Sequence, residues 1–139
     1  KRSENAAGEF PPLSRHNLIG DPEMKVAKLY GMMPAEETKV EGRTPADNQT
    51  VRTVFIVGPD KKVKLNLTYP MTTGRNFDEI LRALDSIRLT AQHQVATPAG
   101  WQQGDDVIVT AAVSDEDAEA RFGGFDKKLP YLRTTKQPG

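Results

Sequence analysis

A single run over residues 51–81 constrains the fold most, because it combines two strand patterns, a tight turn and a capped helix. Residues 51–57 are rich in β-branched side chains, which favour extended backbone. The tetrapeptide Gly-Pro-Asp-Lys at 58–61 suits a β-turn, since proline presets the first central torsion angle and aspartate fits the second. The sequence therefore predicts a strand that turns back into a β-hairpin.

The rest of this run predicts the return strand and the helix that follows it. Apolar and polar residues alternate in the return strand, which is typical of a strand with one face in water. Its predicted inner face consists of Val63, Leu65, Leu67 and Tyr69. Asn76 is placed to cap the next helix, and Glu79 three residues later completes a pattern similar to a capping box. An apolar stripe at helical spacing is formed by Phe77, Ile80, Leu81, Leu84 and Ile87.

The flanking segments are less regular. Residues 1–16 lack a hydrophobic period, so we interpret them as a loose leader, and residues 36–50 are polar and predict a surface connection. Asp21 and Pro22 form a helix-start signal. The short helix that follows is expected to pack on a sheet through Val26, Leu29, Tyr30 and Met33. Later elements are expected to be a turn-rich link at 97–101, a short strand at 106–110 and an acidic helix start at 114–117.

Composition excludes several kinds of site in this chain. The 19 Lys and Arg residues balance the 19 Asp and Glu residues, so the charge favours neither a nucleic acid nor an anionic membrane as a partner. There is no cysteine, which excludes disulfides, thiolate metal ligands and a thiol nucleophile within the chain. His16 and His93 lack ligand spacing, so we expect no metal and no cofactor. No apolar run approaches the length of a bilayer span and nothing marks export, which favours a cytoplasmic location.

Several motifs in a fixed order link the chain to a known family. They are Leu18-Ile19-Gly20-Asp21-Pro22, the run from Val51 to Lys62, the run from Leu67 to Leu81, Leu89-Thr90-Ala91, Val95-Ala96-Thr97-Pro98, Trp101, Gly104-Asp105-Asp106-Val107 and Tyr131-Leu132-Arg133. Through these motifs, residues 17–138 resemble the C-terminal half of a peroxiredoxin of the 1-Cys, peroxiredoxin-6-like subgroup. The resemblance implies an α/β fold with two parts. A partial thioredoxin-like fold, in which an antiparallel β-hairpin is followed by a helix, would occupy residues 17–90, and a small C-terminal peroxiredoxin dimerisation domain would occupy residues 91–139.

The same resemblance implies a peroxidase function and also indicates that this chain lacks a residue the function needs. Family members are thiol-dependent peroxidases that reduce hydrogen peroxide and organic hydroperoxides in antioxidant defence and redox homeostasis, and they use a thiol reductant. The family's C-terminal appendage packs across a dimer partner, so the resemblance also implies a homodimer or a higher oligomer. The family signature Pro-x-x-x-Thr-x-x-Cys has no counterpart here, so we expect the chain to be inactive alone, because nothing in it replaces the nucleophilic thiolate. The alternative is a non-enzymatic truncated module that self-associates or binds a full-length peroxiredoxin.

Arg52 and Arg75 are the candidate catalytic residues, in a supporting role, because they match two family arginines. A guanidinium lowers the pKa of a neighbouring thiol and can hydrogen-bond peroxide oxygens. From the residues alone, structural roles stay open: Arg52 could pair with a carboxylate at a strand edge, and Arg75 could cap or brace a helix. Asp60 matches a position assigned to a phospholipase site in some relatives, but turn chemistry is the favoured interpretation. Trp101 is expected to anchor the appendage or a dimer contact.

Overall fold

The computed structural model describes residues 19–33 and 49–139, together with residues 42, 44 and 47. The predicted leader at 1–16 and most of the predicted connection at 36–50 lie outside the described residues. The chain divides into two compact units, one ending at Val51 and the other running from Arg52 to Gly139.

The first unit contains one short helix, α1, at Lys25–Leu29. The helix starts later than predicted, with Met24 rather than Asp21 at the N-cap position. Asp21 still satisfies exposed amides of the first turn, because its carboxylate accepts hydrogen bonds from the backbone amides of Val26 at 3.1 Å and Ala27 at 2.8 Å. The Ala27 amide, followed by those of Val26 and Lys25, holds the pKa of Asp21 below its usual 3.8.

The predicted inward face of this helix is wrong. Leu29 is 81% exposed, whereas Met24 and Ala27 are buried. The helix begins at Lys25 and has only 5 residues, so it completes little more than one turn and cannot carry an apolar stripe as far as Met33.

The second unit opens with the predicted β-hairpin, which is confirmed. Strand β1 at Arg52–Val57 pairs antiparallel with strand β2 at Val63–Tyr69. The amide of Lys61 donates to the carbonyl of Gly58 at 2.9 Å, and the amide of Gly58 donates to the carbonyl of Lys62 at 2.9 Å, so a tight turn joins the strands. Lys61 takes a positive φ of 60°, as expected for the residue that follows a type I turn in a short hairpin loop.

The inner face of β2 is only half-buried. Leu65, Leu67 and Tyr69 are half-buried and alternate with exposed polar residues, which agrees with the prediction. Val63 departs from it, because this side chain is 49% exposed at the start of the strand.

The long helix α2 at Phe77–Gln92 follows the hairpin. Asn76 caps it as predicted, with its side-chain oxygen accepting the amide of Glu79 at 3.1 Å. The reciprocal half of the capping box is absent, because the Glu79 carboxylate instead accepts the Arg82 guanidinium at 2.6 and 2.8 Å. The predicted apolar stripe is also incompletely buried, since Phe77 is 63% exposed and Leu81 59% exposed, and only its middle and end are half-buried.

The rest of the chain forms a four-stranded antiparallel sheet with one helix. Its strands are β3 at Val95–Ala96, β4 at Val107–Val109, β5 at Asp126–Leu129 and β6 at Leu132–Thr135, in the order β3-β4-β6-β5. Helix α3 at Asp115–Phe122 starts where the acidic segment predicted it, and the hydroxyl of Ser114 accepts the amide of Asp117 at 3.0 Å. Strand β4 confirms the strand predicted at 106–110; the other three strands were not predicted.

The hydrophobic core of the second unit lies in this C-terminal sheet region. One cluster contains Leu89, Val95, Trp101 and Val107, and a second contains Val109, Val113 and Ala118. Phe122 packs against both clusters and so joins them. The end of α2, helix α3 and the sheet are therefore held together by one apolar interior.

Candidate functional site

Arg52 stands at the first position of β1, directly opposite Tyr69 at the last position of β2. Its Nη1 donates to the backbone carbonyl of Thr73 at 3.4 Å. The amide of Thr73 in turn donates to the carbonyl of Pro70 at 2.9 Å, which closes a tight turn. The segment that leaves the hairpin therefore folds back onto the Arg52 side chain, which is half-buried.

Arg75 lies two residues beyond Thr73, on the loop whose carbonyl accepts the Arg52 hydrogen bond. Its side chain is exposed, and Asn76 rather than Arg75 supplies the cap of α2. No ion pair joins either arginine to a carboxylate in the part of the chain that the structure describes. A guanidinium without a carboxylate partner keeps most of its fork of donors available for an anion or a peroxide oxygen.

Asp60 has the contacts of a turn residue. Its carboxylate accepts the Lys64 ammonium at 2.7 Å and the backbone amide of Lys62 at 3.3 Å. The hydrogen bond from Lys64, with a smaller contribution from the Lys62 amide, lowers the pKa of Asp60 from its usual 3.8. These contacts fit the interpretation of Asp60 as a turn residue.

Trp101 is confirmed as an anchor of the C-terminal region. It is 2% exposed, and its indole nitrogen donates to the carbonyl of Asp105 at 3.3 Å. His93 is half-buried at the end of α2, where it lines a cavity of about 650 Å³ together with Arg121 and Phe122. His16 lies outside the described residues.

Sequence reasoning missed the role of Arg133. This side chain is 8% exposed, and its guanidinium donates to Asp115 Oδ1 at 2.7 Å and to the carbonyls of Thr110 at 2.8 Å and Val113 at 2.7 Å. It also lies 5.7 Å from the ring centroid of Phe125. No local sequence signal marks this role, because residues 132–135 read Leu-Arg-Thr-Thr without apolar alternation, and the inward placement of Arg133 and Thr135 follows only from the folded strand. The contacts give Arg133 a structural role.

In residues 19–33 and 49–139 with the three isolated positions, no group of three or more His, Cys, Asp or Glu side chains is arranged to hold a metal ion. None of the helices described is long and apolar enough to cross a membrane.

Comparison with known proteins identifies relatives of this chain. Residues 86–124 match the model of the C-terminal domain of 1-Cys peroxiredoxin. Peroxiredoxin-6 of Gallus gallus is 48% identical over 127 residues, which cover 87% of this chain and 55% of the relative. The chain thus spans about half the length of the curated relatives it matches.

Solved structures show the same relation at the level of the fold. A yeast mitochondrial 1-Cys peroxiredoxin is similar with a TM-score of 0.73 and 45% identity, covering 84% of this chain and 54% of that one. Peroxiredoxin 6 of Arenicola marina gives a TM-score of 0.72 and 49% identity, covering 83% and 53%. The expected α/β fold, with its partial thioredoxin-like hairpin and helix, is therefore confirmed. Residues 86–124 are thus similar to the C-terminal domain of the 1-Cys peroxiredoxins, and most of the chain is similar to about half of these proteins.

Proposed function

We propose that this chain supplies the arginine-bearing half of a thiol-dependent peroxidase that reduces hydrogen peroxide and organic hydroperoxides. The observation that carries the proposal is the placement of Arg52: it is half-buried, positioned by the Thr73 carbonyl, and without a carboxylate partner among the described residues. The homology to peroxiredoxins supplies the reaction class. Arg75, exposed on the same loop region, is proposed as a second, weaker contributor.

The proposed chemistry divides between this chain and a cysteine that its sequence does not contain. A thiolate attacks one peroxide oxygen, the O–O bond breaks, and the departing oxygen takes up a proton to leave as water or an alcohol. Sulfenic acid remains on the cysteine until a thiol reductant restores it. The Arg52 guanidinium stabilises the thiolate before the attack and the negative charge on the departing oxygen during it. Because guanidiniums stabilise charge but accept no oxygen atom, we propose that the chain alone has no peroxidase turnover.

The first test uses the chain as it is. Hydrogen peroxide consumption with dithiothreitol as reductant should not exceed the rate without protein. A catalytic rate that is lost in Arg52→Gln would overturn the proposed division of labour.

A second test restores the nucleophile. The cysteine-containing N-terminal segment of Gallus gallus peroxiredoxin-6 would be fused ahead of this chain, and Arg52→Lys should then lower kcat/KM by about a hundredfold, as for loss of one well-placed donor. Arg88→Lys on the exposed surface of α2 is the matched control and should leave kcat/KM unchanged. Equal effects of the two substitutions on kcat/KM would show that Arg52 does not contribute to the active site.

The second candidate function is a non-enzymatic module that self-associates or binds a full-length peroxiredoxin. The exposed apolar side chains at the start of α2, Phe77 at 63% and Leu81 at 59%, favour association with an apolar surface. Sedimentation velocity at several concentrations should then show a mass that rises with concentration, and the double substitution Phe77→Lys, Leu81→Lys should abolish the rise. A monomer at all concentrations contradicts self-association of the chain.

Assembly and location belong to the same proposal. We propose that the C-terminal region takes part in a homodimer or higher oligomer, as the dimerisation domain of the family implies, and that the protein acts in the cytoplasm. One structurally similar relative is mitochondrial, so cell fractionation of a tagged full-length protein is the measurement that decides the location.

A further inference from the structure

Met71 is exposed and lies midway between two residues, Tyr69 and Thr73, that pair with or contact Arg52. Tyr69, two residues before it, is the cross-strand partner of Arg52, and Thr73, two residues after it, accepts the Arg52 hydrogen bond at 3.4 Å. Two residues span at most about 7 Å, so the Cα atom of Met71 lies within that distance of both neighbours. Met71 itself is 38% exposed to solvent.

The turn fixes this arrangement locally. The hydrogen bond from the Thr73 amide to the Pro70 carbonyl, at 2.9 Å, makes Met71 a central residue of a four-residue turn. A side chain at such a position projects from the turn rather than into a core. The thioether is therefore accessible on the same loop that receives the Arg52 guanidinium.

A thioether reacts with peroxides without any change of protonation. Its sulfur lone pair attacks the terminal oxygen of a hydroperoxide, the O–O bond breaks, and the bonding pair leaves on the other oxygen. That oxygen takes the hydroperoxide's own proton and departs as water or an alcohol. Sulfur is oxidised by two electrons to the sulfoxide, and the peroxide is reduced by the same two electrons.

We propose that Met71 is a peroxide-reactive modification site, at which a hydroperoxide hydrogen-bonded by Arg52 converts the thioether to methionine sulfoxide. The guanidinium donates a hydrogen bond to the departing oxygen as charge develops on it and keeps its own protons. The proposal rests on the proposed function in one respect, the handling of peroxide by Arg52. It needs no cysteine, so it can be tested on the chain as it exists.

The sequence makes the modification easy to assign. Trypsin releases residues 65–75 as a peptide whose only methionine is Met71, and residues 16–25 as a peptide whose only methionine is Met24. Met24 is 8% exposed and serves as an internal reference in the same chain. Mass spectrometry of the two peptides after a timed hydrogen peroxide pulse gives the two oxidation rates side by side.

The decisive comparison is between the folded chain and a synthetic peptide of residues 65–75. A half-buried donor that solvent still screens should accelerate oxidation by about threefold, well below the hundredfold of a fully buried one, so Met71 in the folded chain should react about threefold faster than in the free peptide. Arg52→Gln should bring its rate to the peptide value or below it, while Arg88→Gln and the Met24 rate stay unchanged. A folded chain in which Met71 reacts no faster than the free peptide overturns the proposal, and this comparison needs no variant to fold.

The fused protein with the restored cysteine distinguishes failure of the Met71 proposal from failure of the proposed peroxidase function. If Arg52→Lys lowers its peroxidase activity while Met71 oxidation in the chain is not accelerated, the Met71 proposal fails and the proposed function stands. If neither property depends on Arg52, both fail.

Discussion

The buried guanidinium of Arg133 is expected to be the most sensitive polar position in the C-terminal region. It donates to the carbonyls of Thr110 and Val113 at 2.8 and 2.7 Å, and both lie beside the second apolar cluster. Arg133→Met keeps the length and removes every donor, so two carbonyls lose their side-chain partner. The Thr110 carbonyl still accepts the Val113 amide at 3.1 Å, so of the two only the Val113 carbonyl is left unsatisfied, which costs about 1–3 kcal/mol; with the lost charged hydrogen bond to Asp115, we expect a total loss near 3 kcal/mol. Arg133→Lys keeps one charge but cannot serve three acceptors, and should lose about half as much.

Urea unfolding followed by the fluorescence of Trp101 measures this loss directly, because Trp101 is the only tryptophan and is 2% exposed within the same core. With a slope near 1.5 kcal/mol per molar urea, the midpoint for Arg133→Met should fall by about 2 M. Lys127→Met is the matched control, since Lys127 is the other cation on Asp115, at 3.1 Å, and is half exposed. It should shift the midpoint only slightly, because exposed ion pairs contribute little. The reasoning is refuted if the two variants lose the same stability.

Two further predictions concern polar contacts at helix starts. The hydrogen bond from Lys127, followed by that from Arg133, lowers the pKa of Asp115 below its usual 3.8. The ionised carboxylate therefore stabilises the fold fully above pH 3.8, and this contribution is lost as the pH falls through the lower pKa of the folded state. The stability difference between wild type and Asp115→Asn should therefore shrink below pH 3.8 in thermal unfolding scans, and a difference that is constant with pH would contradict the assignment. Asn76→Ala should destabilise the chain by about 1 kcal/mol through loss of the α2 cap, measured by far-ultraviolet circular dichroism on heating, with Asn76→Asp retaining most of the stability.

The elements that could be predicted from sequence are those whose signals are local. In the hairpin and in α2, the hydrophobic pattern, the turn residues and the helix cap lie within a few positions of one another. Both elements could therefore be predicted without knowing any contact between distant residues. Three strands of the C-terminal sheet have 2 to 4 residues, too few for a period of two to be distinct, and their pairing joins residues far apart in sequence. The partners of Arg133 are 18 to 23 positions away for the same reason.

For the candidate site too, only some features could be predicted from the sequence. Arg52 could be chosen from its place in a motif, but its acceptor is 21 positions away, and local signals do not indicate which carbonyl the guanidinium reaches. The apolar stripe of α2 was recognised correctly as a pattern, yet pattern alone does not give burial. Burial requires a surface to pack against, and none covers Phe77 or Leu81 in the described chain.

These differences in packing predict that stability is unevenly distributed within the second unit. No residue of β1 or β2 is buried, whereas the central strand β4 has two buried valines, Val107 and Val109, and neighbours on both sides. A two-stranded hairpin is marginally stable by itself, so its amides should open more readily than those of β4. Hydrogen exchange measured by NMR should give opening free energies about 3 kcal/mol lower for the β1–β2 pair than for β4, a difference on the order of a hundredfold in rate.

This uneven stability bears on the site, because Arg52 and its acceptor Thr73 both depend on the hairpin being closed. Each opening of β1 from β2 releases the guanidinium, so the arginine should be well positioned only while the hairpin is formed. In the fused protein with the restored N-terminal segment, added packing on the half-buried face should slow exchange of the β1 amides and leave β4 unchanged. Equal protection of β1 and β4 in the chain alone would show that the hairpin has its own stability, and the site would then need no further packing to hold its geometry.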